Sequence, residues 1–386
     1  MKICHCMGSI SSASSERHVW ADLTDSLLHL IIALFCSFHD FLGVTSTCRA
    51  WRAAVSSFPS IYNFTFPPLY VQTGVHNAQW HMYTPPNHLS KYKWQFRDPA
   101  KKELSLCSSA PRKTRYYVRY MGCSYGYLIF SCGEQCLLVD VYTSTMVKPP
   151  KLQCRNHCQI YYGILMAPLS SPNSSLLLFS RKSVFQWQVG ANSWTEHPFV
   201  DEHIRQIVSF KGQMFAMDFH EKLNIISLAP QLGMQELPVV WGEDMVAGLC
   251  KRSWLVVCGD MLLVVDIVER GKIWGKFCFR VFRLDTSAKP AKWVRVKKLD
   301  NWALFLSADR RSQTFSCISP ERWGGKSNCI YVPSKSEDPN EPWIAVEHSK
   351  PLCSRTHPAS YIISSRDMYL GNFWVLPSLF YGKGSE

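Results

Sequence analysis

Three groups of residues in this chain have the types and spacing that chemistry requires. Gly122-Cys123-Ser124-Tyr125-Gly126 has the form of a G-x-S-x-G nucleophile elbow, in which a tight turn between a strand and a helix pushes a serine hydroxyl toward a base. The residues after it, 127–130 (YLIF), have the apolar and aromatic character of a strand, so a β-turn is the simpler account. Gly324-Gly325-Lys326-Ser327 has the look of the end of a phosphate-binding loop. Pro320, however, stands where the first glycine of such a loop belongs, and no helical pattern follows the serine, which leaves an ordinary loop. Cys132, Cys136, Cys154, His157 and Cys158 are metal-ligating types close in sequence, but no paired C-x-x-C knuckle accompanies them, and Cys4-His5-Cys6 is too tightly spaced for a standard finger. No carboxylate pair or triad stands out. The residues give no argument for catalysis by this chain and none for a metal or a cofactor.

Positioning any such group falls to elements of two kinds. Residues 1–18 are polar and Ser-rich and are expected to be disordered. Helical periodicity then runs over about 23–55 and stops at Ser56-Ser57-Phe58-Pro59, where proline forbids continuation. Leu27, Leu30, Ile31, Leu34 and Phe35 recur at helical spacing as the core-facing stripe of a helix that Asp22 or Thr24 could cap, with Leu28 and Ile32 on a different flank. Val44, Cys48, Trp51 and Val55 form a second stripe after a break at residues 37–40. Two or three helices this short have little room for a private core, and the apolar surface left over implies a protein contact.

From residue 60 to about 380 helical signals nearly vanish. Short apolar runs broken by Gly, Pro, Asn and Ser follow one another: 127–130, 137–141, 160–166, 176–179, 184–189, 204–210, 214–217, 223–228, 254–257, 262–268, 277–284, 293–296 and 329–332. Many short, evenly spaced strands favour a propeller, sandwich or barrel. Trp194, Trp241, Trp293 and Trp343 are separated by 47, 52 and 50 residues, and Gly126, Gly163, Gly212 and Gly259 by 37, 49 and 47. That period is the one kelch-like propeller blades have. The expected architecture is therefore a disordered tail over 1–18, a small all-α domain of short helices over 19–58, and a large all-β domain over 60–380, a β-propeller. Residues 61–66 and 92–96 either supply a further blade or connect the two domains, so the blade number stays open.

With 386 residues, 47% of them apolar, the chain is long enough for a small domain plus a large one or for a single large repeat architecture. Its net charge of +13 is spread over separate patches, Lys101-Lys102, Arg112-Lys113-Thr114-Arg115 and 292–298, so solvated strand faces account for it better than nucleic-acid binding does. The sixteen cysteines lie mostly within strand-like runs such as Cys136-Leu137-Leu138-Val139, as free buried thiols do. The longest apolar stretch, 27–36, is interrupted by His29 and is about half of the ~20 residues a spanning helix needs. No secretory-type apolar core opens the chain. A reducing compartment, cytoplasm or nucleus, is the expected location, and it demotes the sequons at Asn63 and Asn173.

Residues 20–54 resemble an F-box, whose pattern is Leu-Pro-x-Glu-Leu-Leu, an isoleucine, a second apolar helix and a closing Cys-Arg-x-Trp. Leu23, Leu27, Leu28, Ile31, Phe41, Leu42, Val44, Cys48, Arg49 and Trp51 stand at matching places. Thr24 replaces the usual proline and Ser26 the usual glutamate, and Thr24 can cap the helix that the proline would have started. The remainder is similar to the β-rich, KIB-like and kelch-like domain found behind the F-box in a large group of plant proteins. The matching phrases are 207–212 (IVSFKG) leading to 215–218 (FAMD), then 259–264 (GDMLLV), 279–285 (FRVFRLD) and 328–331 (NCIY).

The resemblance implies a non-catalytic substrate-recognition subunit of an SCF-type ubiquitin ligase. In such a complex the F-box docks on a Skp-type adaptor, which links it to cullin and RING subunits, while the propeller holds the target protein for ubiquitination. Adaptor binding, by contributing to or supporting the docking surface, is implied for Leu23, Leu27, Leu28, Ile31, Phe41, Val44, Cys48 and Trp51, with Ile31, Leu34 and Phe35 partly packed inward. The other reading is a kelch-like interaction scaffold with no part in ubiquitination, which has no need of an apolar amino-terminal surface.

Overall fold

The computed structural model describes residues 23–56, 66–74, 93–109, 118–153, 159–198, 204–228, 232–242, 253–269, 276–334, 341–350, 352–353 and 370–378. The expected tail over 1–18, Cys4-His5-Cys6, Asn63, the basic run 112–115, and the ligand candidates Cys154, His157 and Cys158 lie outside them.

Three helices open the described chain. α1 (Asp25–Ala33) follows Thr24, which is extended at the N-cap position but whose hydroxyl meets that of Ser26 at 3.2 Å instead of a helix N–H. α2 (Phe38–Thr47) starts at Ser37, whose hydroxyl accepts from the Asp40 N–H at 3.1 Å and so satisfies one of the free donors of the first turn. α3 (Arg49–Ser56) comes after the extended Cys48. The longest of the three has ten residues, and no helix among the described residues is long and apolar enough to cross a membrane.

Six sheets follow, and they are the blades of a propeller. Blade 1 is ordered Phe373–Val375, Leu69–Gly74, Lys93–Asp98, Lys101–Ser109. Blade 2 runs Arg119–Ser124, Tyr127–Cys132, Gln135–Asp140, Met146–Val147, and blade 3 Ile160–Leu165, Ser175–Ser180, Ser183–Gln188, Thr195–Pro198. Blade 4 runs Ile204–Phe210, Gln213–Asp218, Leu223–Ser227, Gly233–Leu237. Blade 5 runs Ser253–Cys258, Met261–Glu269, Lys276–Asp285, Ala291–Val296, with Val239–Trp241 added in parallel at its edge and Leu352–Cys353 beside Lys276–Asp285. Blade 6 is ordered Phe315–Ile318, Trp302–Phe305, Cys329–Pro333, Trp343–Glu347, with its two middle strands parallel.

Six apolar clusters fill the gaps between neighbouring blades, one for each junction, so each sheet is covered on both faces. The last junction joins the two ends of the ring: Phe305, Tyr331 and Trp323 of blade 6 pack on Tyr70 and Trp374 of blade 1. Closure is also covalently distant pairing, since Leu69, Tyr70 and Val71 pair antiparallel with Val375, Trp374 and Phe373.

The sequence landmarks resolve into blade positions with two exceptions. Gly126 and Gly212 sit at positive φ (79° and 75°) in the first hairpin turns of blades 2 and 4, each after a residue also at positive φ, Tyr125 (49°) and Lys211 (50°). That is the turn whose twist suits a two-residue hairpin. Gly259 (φ 58°) is in the corresponding turn of blade 5, at its first position instead of its second. Gly163 does not: it lies within a strand, where an added Cβ would come within 3.0 Å of the Ile129 and Leu178 side chains. Trp293 and Trp343 lie in the outer strands of blades 5 and 6, and Trp194 directly precedes that of blade 3. Trp241 breaks the series, for it pairs with Trp293 in the same sheet.

Gly122-Cys123-Ser124-Tyr125-Gly126 is the end of a strand and a β-turn. The buried Ser124 hydroxyl accepts from the Leu165 N–H at 3.2 Å, a structural role. Gly324-Gly325-Lys326-Ser327 is a loop after the short 3-10 helix Pro320–Trp323.

Candidate functional site

The 100° step of an α-helix divides α1 into two apolar flanks. Leu28 and Ile32 are buried, at 1% and 2% exposure. Leu27, Leu30 and Leu34 lie along the other flank at 49%, 55% and 67%, and are the most exposed leucines among the described residues. Three of the five residues of the stripe expected to face the core thus face solvent, and the minor flank faces inward. Both assignments follow from one rotation of the helix, because a stripe and its opposite flank share the same period.

Burial also sorts the residues expected to contribute to or support an adaptor surface. Leu28 of α1 and Phe41 and Val44 of α2 are buried within the chain, so theirs is the supporting part. Phe41 is fully buried, its ring 6.1 Å from Phe66 and 6.3 Å from Phe38, in the cluster that fills the junction of blades 1 and 2. Leu23, Ile31, Cys48 and Trp51 are half-buried, and Trp51 packs against that cluster. Leu34, expected to pack partly inward, is exposed, while Phe35 does pack on the cluster. The exposed patch is therefore built on Leu27, Leu30 and Leu34, flanked by Leu23 and Ile31. Leu30 and Leu34 were missed as surface residues although their spacing was visible, because periodicity reports that a helix has faces and not which one is covered.

Polar contacts fix the helices to the propeller. Asp98, at the end of the strand Lys93–Asp98, accepts on Oδ2 from the N–H groups of Phe38 (3.0 Å) and His39 (3.4 Å), and on Oδ1 from that of Ala100 (2.9 Å). One carboxylate thereby caps a helix from another unit and a hairpin turn of its own. Burial pushes the Asp98 carboxyl above its ordinary range, against the pull of those N–H groups. Asp40 is held below its usual value despite partial burial, by the Ser37 hydroxyl and by Lys101 at 3.4 Å. Within the helical unit, the His29 ring bonds the Ala54 carbonyl at 2.9 Å.

The helices meet the propeller at Phe66, Leu69, Asp98, Tyr142 and Trp323, all on the rim where the innermost strands end. On the opposite rim, where the innermost strands of blades 4 and 5 begin, a polar cluster surrounds Glu221. Its carboxylate lies 3.7 Å from Arg205 and accepts from the Ser253 hydroxyl at 3.4 Å; Asp266 nearby pairs with Arg280 at 2.7 Å. Burial and the Asp266 charge push Glu221 up to about 7, while Arg205 and Arg310 pull the other way. Phe219 stands exposed on the adjoining turn with the Arg205 guanidinium 4.7 Å from its ring. Among the described residues no group of three or more His, Cys, Asp or Glu side chains could hold a metal ion, and Cys132 and Cys136 carry free thiols.

Comparison with known proteins bears on both units. Residues 96–357 match the family model described as KIB1-4 beta-propeller. The F-box protein At2g26160 of Arabidopsis thaliana is 22% identical over 343 residues, covering 82% of this chain and 96% of its own length. A second Arabidopsis thaliana protein with an F-box designation, At3g25750, is 25% identical over 338 residues, covering 82% of this chain and 88% of its own. Among solved structures, the N-terminal domain of Nup159 aligns over 60% of this chain and 68% of that one at 7% identity, with a TM-score of 0.29, too low to argue from.

Proposed function

The chain belongs to the KIB1-4 beta-propeller family, and from that premise we propose that it is the target-recognition subunit of a Skp–cullin–F-box ubiquitin ligase. The observation that carries the reading is the exposed row Leu27, Leu30 and Leu34 on a helix already anchored from behind by Leu28, Ile32 and α3. A helix whose inner flank is filled by its own chain has no internal use for three more leucines in water. Relatives that carry an F-box name align over more than four fifths of the chain, which supports a Skp-type adaptor as the occupant. The rigid seat on Asp98 supports it further, because a receptor must hold its adaptor and its target in fixed relation.

On this reading the chain itself catalyses nothing. The propeller binds a target, the adaptor and cullin bring the RING subunit and its ubiquitin-loaded enzyme, and the gain is effective concentration of target lysines at the thioester. The chain then works in the cytoplasm or nucleus, where those subunits are. The decisive experiment is co-purification of the full chain with a Skp-type adaptor. Leu27→Asp with Leu30→Asp places two charges on the exposed row and none in the core; adaptor binding is expected to fall below detection while the melting temperature holds. Undiminished capture by the double variant would move the adaptor off this row, and no capture by the unmodified chain would leave an interaction scaffold with no ligase role as the surviving account.

A further inference from the structure

The exposed row of α1 runs into the propeller at its C-terminal end. Arg322, in the 3-10 helix Pro320–Trp323 of blade 6, donates from Nη2 to the Leu34 carbonyl at 3.3 Å, where the last carbonyls of α1 lack intrahelical partners. Cys36, two residues further, packs into the cluster between blades 6 and 1 that contains Trp323 and Tyr70. The loop behind Arg322 is firmly built. The Gly325 N–H donates to the Pro320 carbonyl at 2.9 Å, Trp323 Nε1 to Cys317 Sγ at 3.4 Å, and the Ser327 N–H to Glu321 Oε1 at 3.1 Å. The Ser327 hydroxyl also bonds Glu321, which holds that carboxyl below its ordinary range. With Glu321 engaged, Arg322 and Lys326 are the exposed cations of the loop.

Resting on the adaptor reading above, we propose that loop 320–327 of blade 6 is part of the same docking surface. The adaptor would cover Leu27, Leu30 and Leu34 and set carboxylates against Arg322 and Lys326. Two arguments lead there. A partner that covers Leu34 comes up against the exposed guanidinium that bonds the Leu34 carbonyl at 3.3 Å, so the two residues lie under one footprint. Three half-exposed leucines, moreover, supply only part of the ~800 Å² that each side of a standard interface buries, and the loop adjoins them through Arg322. The adaptor then touches both helical unit and propeller, which fixes its angle to the blades without a linker.

Hydrogen exchange of the full chain, with and without a purified Skp-type adaptor, tests this alongside titration of Arg322→Glu and Lys326→Glu. Protection is expected to rise in 320–327 as well as in 27–34. Each charge reversal should weaken binding about tenfold, more steeply at low salt, with an unchanged melting temperature for Lys326→Glu. Lys326→Glu is the sharper of the two, since only Arg322 also holds α1. Protection confined to 27–34, or loss with Arg322→Glu and none with Lys326→Glu, overturns the proposal while the adaptor reading stands. Failure of the unmodified chain to bind the adaptor removes that reading itself.

Discussion

Adjacent residues on α1 meet opposite environments: Leu27 is half in water and Leu28 is sealed. A charge at Leu28 would therefore test folding and a charge at Leu27 would test docking, and mixing the two makes a loss of binding uninterpretable. Glu221 poses a different question at the same scale, that of a carboxyl held where ionisation is disfavoured. Its native proton is lost near pH 7, whereas in the unfolded chain it leaves near 4.5. Between those values the native state binds more protons than the unfolded one, so this group's contribution to stability falls as pH rises through that window and levels off above it. Urea midpoints at pH 5 and pH 8 should show a smaller loss in Glu221→Gln than in the unmodified chain. An equal loss in both would mean that Arg205 and Arg310 already hold the carboxylate ionised.

At the scale of elements, the notable fact is that α2 has its first turn capped twice, by Ser37 from within and by Asp98 from blade 1. Asp98→Ala should cost about 1–2 kcal/mol, the range for a lost helix cap, and raise amide exchange at Phe38 and His39 while blades 3 to 5 keep their protection. If exchange there is unchanged, the seat of α2 rests on the Phe38 and Phe41 rings alone. This junction also explains why the chain does not divide cleanly near residue 60. Phe41 and Phe66 share one core, so removing the helices would strip the cover from blades 1 and 2. Much of the element layer was legible beforehand, for the apolar runs from 127–130 to 329–332 are strands. Leu69–Gly74, Lys93–Asp98 and Phe315–Ile318 were less so, because they mix polar and apolar residues and owe their burial to distant partners. The direction of α1 was illegible for the same reason: which flank is inside is decided by α3 and the core beneath Ile32, not by α1.

At the scale of the whole molecule, blade number could not be read from the chain because the ring is closed by partners about three hundred positions apart. Leu69 has no way to announce Val375. A second closure is less visible still. Residues 307–314, between two strands of blade 6, reach into the centre of the ring. The Trp374 N–H donates to Ser307 Oγ (3.0 Å), Trp254 Nε1 to the Ser307 carbonyl (3.2 Å), and the Tyr125 N–H to Gln313 Oε1 (3.0 Å). Arg311 grips Asp309 through Nη2 at 2.6 Å and Nε at 3.0 Å, and donates from Nη1 to the Tyr120 carbonyl at 2.8 Å, while its own carbonyl accepts from the Cys123 N–H at 3.1 Å. One segment thus binds blades 1, 2 and 5 to blade 6. Arg311→Ala would leave Asp309 as a buried charge without its fork, at a cost of about 3–5 kcal/mol, a large share of the ~5–15 kcal/mol that a folded protein holds in reserve. If the segment clasps the ring, the denaturant midpoint should drop and exchange should rise together in Arg119–Ser124, held by Arg311, and Phe373–Val375, held by Ser307. Arg311→Lys, which keeps the charge and loses the paired geometry, should fall between. Loosening limited to blade 6 would reduce the segment to a local loop and leave Phe373–Val375 as the sole fastening.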